Sequence, residues 1–153
     1  MLETIFNVLR EGWGWMFLRG AAMTLLISVL GMALGVVIGI TGASIKTNGP
    51  RWLRGPVSLY TTVVRSIPEL LIIYLLFFGS VQVVSDLADF MRMEDVMTRW
   101  FPALVGILAI GLIAGSYSVE VFRGALQAIP EGQIEAAKAI GMSPWRRVRR
   151  IIL

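Results

Sequence analysis

The chain has 153 residues, of which 56% are hydrophobic and 16% charged, with a formal net charge of +4 and a mean hydropathy of +0.75. A soluble domain carries about 25% charged residues. There is no cysteine, which excludes disulfides and thiolate metal sites, and no histidine, which removes the commonest metal ligand and general base. In chain order, Met1 to Arg19 reads as an amphipathic segment, with Trp13, Trp15 and Phe17 placed for a membrane boundary. Glu3, Arg10 and Glu11 interrupt its start, unlike a cleaved leader. No charge falls between Arg19 and Lys46. A helix needs about 20 apolar residues to cross a hydrocarbon core, so a first span is predicted over 20–41. Within it Gly31, Gly35 and Gly39 recur at every fourth residue. They fall on one helix face and would let another helix approach closely, although glycine is also simply common in membrane helices.

A loop, ASIKTNGPRWLRGP, follows, and then a second span over 57–78. Between Arg54 and Asp86 only Arg65 and Glu69 are charged. Residues 79–100 read as a polar loop holding Asp86, Asp89, Glu94 and Asp95 against Arg92 and Arg99. A third span is predicted over 102–122, opened by Pro102 as a first-turn proline. The competing reading is a buried soluble core, but three such windows are hard to cover in so small a domain.

Lysine and arginine remain on the cytoplasmic side of membrane proteins. The first loop carries Lys46, Arg51 and Arg54 with no acid, and the tail carries Arg123, Lys138, Arg146, Arg147, Arg149 and Arg150 against Glu131 and Glu135. The middle loop is net acidic. Three spans put the first loop and the tail on one side, which predicts an N-terminus outside and a tail inside. In the tail, Glu131 to Ile140 reads as a short helix after Pro130. Gly141 interrupts, and Ser143 and Pro144 restart a second helix over 145–153 as N-cap and first helical residue. Val148, Ile151 and Ile152 share one face of that helix, opposite the arginines. Three uses compete for this knob: a basic skirt on anionic lipid, a nucleic-acid site at RRVRR, and a docking platform for a cytoplasmic partner. A five-residue basic patch without a DNA-binding fold argues against nucleic acid.

Two pairs of charges stand out. Arg65 and Glu69 lie four apart in the second span, where a charge costs at least about 2.5–3.5 kcal/mol. They either neutralise each other within the helix or face a wet pathway. Pro68 removes a backbone donor and disfavours helix at the residue before it, so a kink is expected there. An acid beside the freed carbonyl would suit a cationic side chain. Glu120 and Arg123 lie three apart at the end of the third span and are expected to form a structural ion pair across one turn.

The stretch EAAKAIGMSPWRRVRRIIL resembles the EAA signature of permease subunits of bacterial ATP-binding cassette importers. Glu135, Ala136, Ala137, Gly141, Ile151 and Leu153 match its fixed spacing. The stretch GSYSVEVFRGALQAIPEG is similar to the Tyr-x-x-Glu-x-x-Arg-Gly segment of polar amino-acid permeases, and YTTVVRSIPELL to their Arg-x-x-Pro segment. The likeness runs from about Arg19 to Leu153 and is nearest to subunits for histidine, lysine, arginine, ornithine or opines. It implies an all-α membrane protein: three transmembrane helices, then a cytoplasmic coupling helix-turn-helix over 127–153, forming one permease domain. This is the N-terminal part of the five-helix type I importer permease fold. Two further spans after the EAA loop are expected in the family, so the chain reads as a truncated gene or a fragment.

The resemblance further implies a multi-pass protein of the bacterial inner (plasma) membrane, with a periplasmic N-terminus, that moves amino acids by alternating access. Its partners would be an ATP-binding subunit dimer, a second permease subunit that is a paralogue, a periplasmic substrate-binding protein and membrane lipid, with no nucleic acid. ATP and Mg would lie on the partner subunits. The chain itself would hold no cofactor or metal and would not be an enzyme. Arg65, Pro68 and Glu69 would line the substrate pathway, with Glu69 meeting the substrate's positive group. Two readings of other classes remain: a non-transporting adaptor that only docks an ATPase, and a membrane peptide held by its basic skirt.

Overall fold

The structure is a computed structural model. It describes the backbone of residues 13–91 and 94–152, and the side chains of residues 13–81, 100–143 and 145–151. The amphipathic start over 1–12 and the last EAA position, Leu153, lie outside the described residues.

The described residues are almost wholly helical. Helix α1 spans Gly14–Asn48, α2 Arg51–Ser66, α3 Glu69–Met91, α4 Glu94–Gln127, α5 Glu131–Ala139 and α6 Pro144–Arg147, followed by a π-helical turn over Val148–Ile152. At 35 residues α1 is about 52 Å long, well beyond a hydrocarbon core. Its buried residues are all small: Gly31, Gly35, Gly39, Gly42 and Ala43. Its large apolar residues point outward, with Leu25, Val29, Met32, Val37 and Ile40 each more than half exposed. Among the described residues two helices, α1 and the 100–127 part of α4, are long and apolar enough to cross a membrane. A third crossing is available if the bent pair α2 and α3 counts as one span.

The core is the contact between α1 and α4, and glycine makes it. A Cβ placed on Gly31 would come within 2.8 Å of Ile110 Cβ, and one on Gly35 within 2.9 Å of Ala114 Cβ. On Gly39 it would overlap Ser118 Cβ. The stripe is answered from the other side: Leu34 lies over Gly111 and Ile38 over Gly115. With no hydrophobic drive between helices in lipid, close van der Waals packing of this kind is what holds them. The pairs 27–106, 31–110, 35–114 and 39–118 ascend together, so α1 and α4 run parallel.

The predicted boundaries change in five places. The polar loop predicted over 79–100 is almost wholly helical, since α3 runs to Met91 and α4 starts at Glu94. The first loop is only Gly49 and Pro50, because α1 continues to Asn48 and α2 starts at Arg51. Arg54 makes so tight a corner tenable, its Nε and Nη2 donating to the carbonyls of Gly49 (2.8 Å) and Thr47 (3.3 Å) at the end of α1. The second span is broken rather than kinked: α2 and α3 meet at 106°. Ile67, forced out of helix by the proline after it, is extended (φ −100°, ψ 137°), and the Pro68 carbonyl accepts the first bonds of α3 from Leu71 and Ile72. Pro102 lies inside α4 and does not open it. Finally, the second tail helix lasts one turn before winding into π geometry at Val148. There the bonds run to the fifth residue, in place of the α-helix predicted over 145–153.

Candidate functional site

Three places bring the singled-out residues together. The first is the break between α2 and α3. Arg65 sits in the last turn of α2 and Glu69 in the first turn of α3. The Glu69 carboxylate therefore meets the positive end of its own helix. The ion pairs among the described residues are Lys46–Glu120 and Arg123–Glu120, so Arg65 and Glu69 do not neutralise each other. The bend separates two residues that an unbroken helix would have stacked. Both are exposed. The Arg65 guanidinium instead lies over the Tyr117 ring, 5.4 Å from its centroid. Arg-x-x-Pro and Tyr-x-x-Glu-x-x-Arg-Gly, far apart in sequence, thus touch. Glycine again sets the geometry: Gly115 leaves room for the Tyr60 hydroxyl, which donates to the Leu112 carbonyl at 2.6 Å and ties α2 to α4.

The second place is a polar cluster at the end of the bundle where α1 stops and α4 leads toward α5. Glu120 Oε1 accepts from Lys46 Nζ at 2.5 Å, and Glu120 Oε2 accepts from Arg123 Nε at 2.9 Å. Lys46 Nζ also donates to Thr61 Oγ1 at 3.0 Å, and Arg123 Nη1 to Gln127 Oε1 at 2.8 Å. Thr61 is 2% exposed, and every buried side-chain polar atom among the described residues has a partner. The Glu120–Arg123 spacing is visible in the sequence. Lys46, Thr61 and Gln127 are not: Lys46 reads as an ordinary loop cation, and Thr61 as one polar residue in an apolar span.

The third place is the knob. Helix α5 ends in a Schellman motif: Met142 N donates to the Ala137 carbonyl and Gly141 N to the Lys138 carbonyl, each at 3.0 Å. Gly141 occupies the left-handed position (φ 72°) that the motif requires. The Ser143 carbonyl accepts from Arg147 N at the start of α6, and its hydroxyl accepts from Arg146 Nε at 3.3 Å. Glu135 and Ala136 are exposed, Ala137 is buried and Ile151 is half-buried. Ile140 and Trp145, which flank the turn, are 75% and 72% exposed. The knob therefore carries an apolar tip at these two residues.

Residues 31–153 match the family model for the binding-protein-dependent transport system inner membrane component. The chain belongs to that family. It is 40% identical over 143 residues to the octopine transport system permease protein OccQ of Rhizobium radiobacter, covering 94% of this chain and 60% of that protein. It is 41% identical over 142 residues to the nopaline transport system permease protein NocQ of Agrobacterium fabrum, with 93% and 60% covered. Identity to the histidine/lysine/arginine/ornithine transport system permease protein HisQ of Escherichia coli is 34% over 141 residues, with 92% and 61% covered. A crystal structure of an amino acid ABC transporter with histidines matches at a TM-score of 0.67 and 24% identity, over 95% of this chain and 62% of that one. The fold is therefore that of an ABC transporter permease. The chain spans about three-fifths of the length of these curated relatives.

Proposed function

We propose that this chain is a permease subunit of an importer for basic amino acids or opines, working by alternating access in the bacterial inner membrane. The observation that carries this is the broken helix, with Arg65 held over Tyr117 on one side and Glu69 opening α3 on the other. Discontinuous membrane helices, with their exposed ends and dipoles, are where transporters bind polar substrates. Arg65 is suited to a substrate carboxylate, and Glu69 to a cationic side chain. The relatives named for octopine, nopaline and histidine/lysine/arginine/ornithine transport support this substrate class.

Packing and charge support a three-span topology. Parallel α1 and α4 require the chain between them to return across the membrane, which the bent α2–α3 pair does once. This favours three crossings. Lys46, Arg51 and Arg54 then share the cytoplasmic face with the tail, and the N-terminus is periplasmic. The knob over 127–153 meets an ATP-binding subunit in this reading, with Glu135, Ala136, Ala137, Gly141, Ile151 and Leu153 forming the docking signature. ATP and Mg stay on that partner dimer, so this chain is not itself an enzyme and holds no cofactor. A second permease subunit, a paralogue, completes the pathway, and a periplasmic binding protein delivers the substrate.

Two variants test the reading. In Glu69→Gln, uptake of labelled arginine is expected to fall about tenfold, the loss of roughly 1.4 kcal/mol of a charged hydrogen bond, while assembly with the ATP-binding subunit is unchanged. An equal loss of assembly and uptake would remove Glu69 from the pathway. In Gly141→Val, co-purification of the ATP-binding subunit is expected to disappear, because a β-branched residue resists the left-handed conformation. Gly141→Asn, which tolerates it, should retain most of the binding. If both variants bind alike, the knob is not the docking element and the chain is a membrane peptide held by its basic skirt.

A further inference from the structure

We infer that Lys46, Thr61 and Glu120 form a joint that passes movement of the knob to the broken helix, with Lys46 as its positioning residue. This rests on the importer reading above. A continuous line of side-chain bonds runs from Gln127, the last residue of α4, through Arg123 and Glu120 to Lys46 on α1 and Thr61 on α2. Gln127 lies three residues ahead of Pro130, the N-cap residue of α5. Thr61 lies four residues ahead of Arg65, so the two share a face of α2.

The elements so joined differ in how tightly they are held. Helices α1 and α4 meet Cβ against missing Cβ along the glycine stripe and form one stiff unit. Helix α2 is fastened to that unit by side-chain contacts: Tyr60 to the Leu112 carbonyl, Arg65 over Tyr117, and Thr61, which accepts from Lys46 and donates to Glu120 Oε1 at 3.4 Å. A displacement of the lower end of α4 therefore reaches α2 through the cluster. The Lys46 ammonium bridges the Glu120 carboxylate on α4 and the Thr61 hydroxyl on α2, and its own helix is fixed to α4. It thus holds the two moving parts in register. The Lys46 and Glu120 side chains are only 13% and 20% exposed, so salt and water do not replace this bridge cheaply.

The test uses the full-length permease assembled with its ATP-binding and substrate-binding subunits in proteoliposomes, with ATP hydrolysis read with and without liganded binding protein. Thr61→Val keeps the shape and removes the hydroxyl. It is expected to assemble normally and to lower stimulation by the liganded binding protein about fivefold or more, the lower range of ordinary coupling between sites. Lys46→Met is expected to do the same, and Lys46→Arg to restore most of the stimulation. Wild-type stimulation in an assembled Thr61→Val complex overturns the joint. Basal and stimulated rates that fall together with the amount of complex also overturn it, leaving the cluster merely structural. A wild-type complex with no stimulation at all overturns the importer reading itself, and the joint with it.

Discussion

Gly39→Ala is expected to lower the stability of the protein by about 1–3 kcal/mol, the usual cost of forcing an extra methyl into a filled contact. The added carbon meets Ser118 Cβ and the Phe122 ring, and Ser118 Cβ cannot rotate away. The helices must separate along their length, and the neighbouring contacts at Gly35 and Gly42 loosen with them. Gly39→Leu is expected to prevent assembly. Gly20→Ala serves as the control, because nothing lies within 4 Å of a Cβ there and the change gains helix propensity. Thermal unfolding of the detergent-solubilised protein, followed by circular dichroism, checks the pair. Equal melting of Gly39→Ala and Gly20→Ala would mean that the stripe does not hold the two helices together.

Glu120→Leu is the second large effect. It leaves Lys46 and Arg123 facing each other without their shared anion. Removing one partner from a buried pair costs about 3–5 kcal/mol. Arg123 is 35% exposed, and water screens its share of the charge, so about 2–3 kcal/mol is expected here. Adding Lys46→Met to Glu120→Leu should recover much of the loss, since the stranded cation is then gone. The same melting experiment reads both proteins. A double variant no more stable than Glu120→Leu would show that the ammonium is not the stranded charge.

The parts of this architecture legible in the sequence are those written in local spacing. Gly31, Gly35 and Gly39 mark a helix face by their period of four, and Gly141 with its flanking short helices marks a turn. The Arg65–Pro68 segment announces an interruption. Its size does not show, because a proline fixes where helix bonding fails but not the angle at which the next helix leaves. Helix ends are hidden for a related reason. Asp86 and Asp89 look like a loop, yet no glycine or proline falls between Gly79 and Met91, and the helix runs on through them. Pro102 looks like a start, but the residues from Glu94 onward are already helical.

Long-range polar contacts are the least legible part. Lys46 and Glu120 are 74 residues apart, and their meeting follows from the register of the glycine stripe, not from either residue's neighbours. The answering glycines on α4, Gly106, Gly111 and Gly115, are hidden by uneven spacing. Tyr117 shows in the Tyr-x-x-Glu-x-x-Arg-Gly pattern, but its place over Arg65 depends on how α2 crosses α4.

The most direct measurement is uptake of labelled arginine into proteoliposomes holding the permease with the proposed second permease subunit and ATP-binding subunits, and the proposed binding protein outside. ATP-dependent accumulation is expected, and unlabelled histidine, ornithine or octopine should compete it away. A complex that binds the ATP-binding subunit and hydrolyses ATP but accumulates nothing would contradict it, and would favour the adaptor that docks an ATPase without transporting.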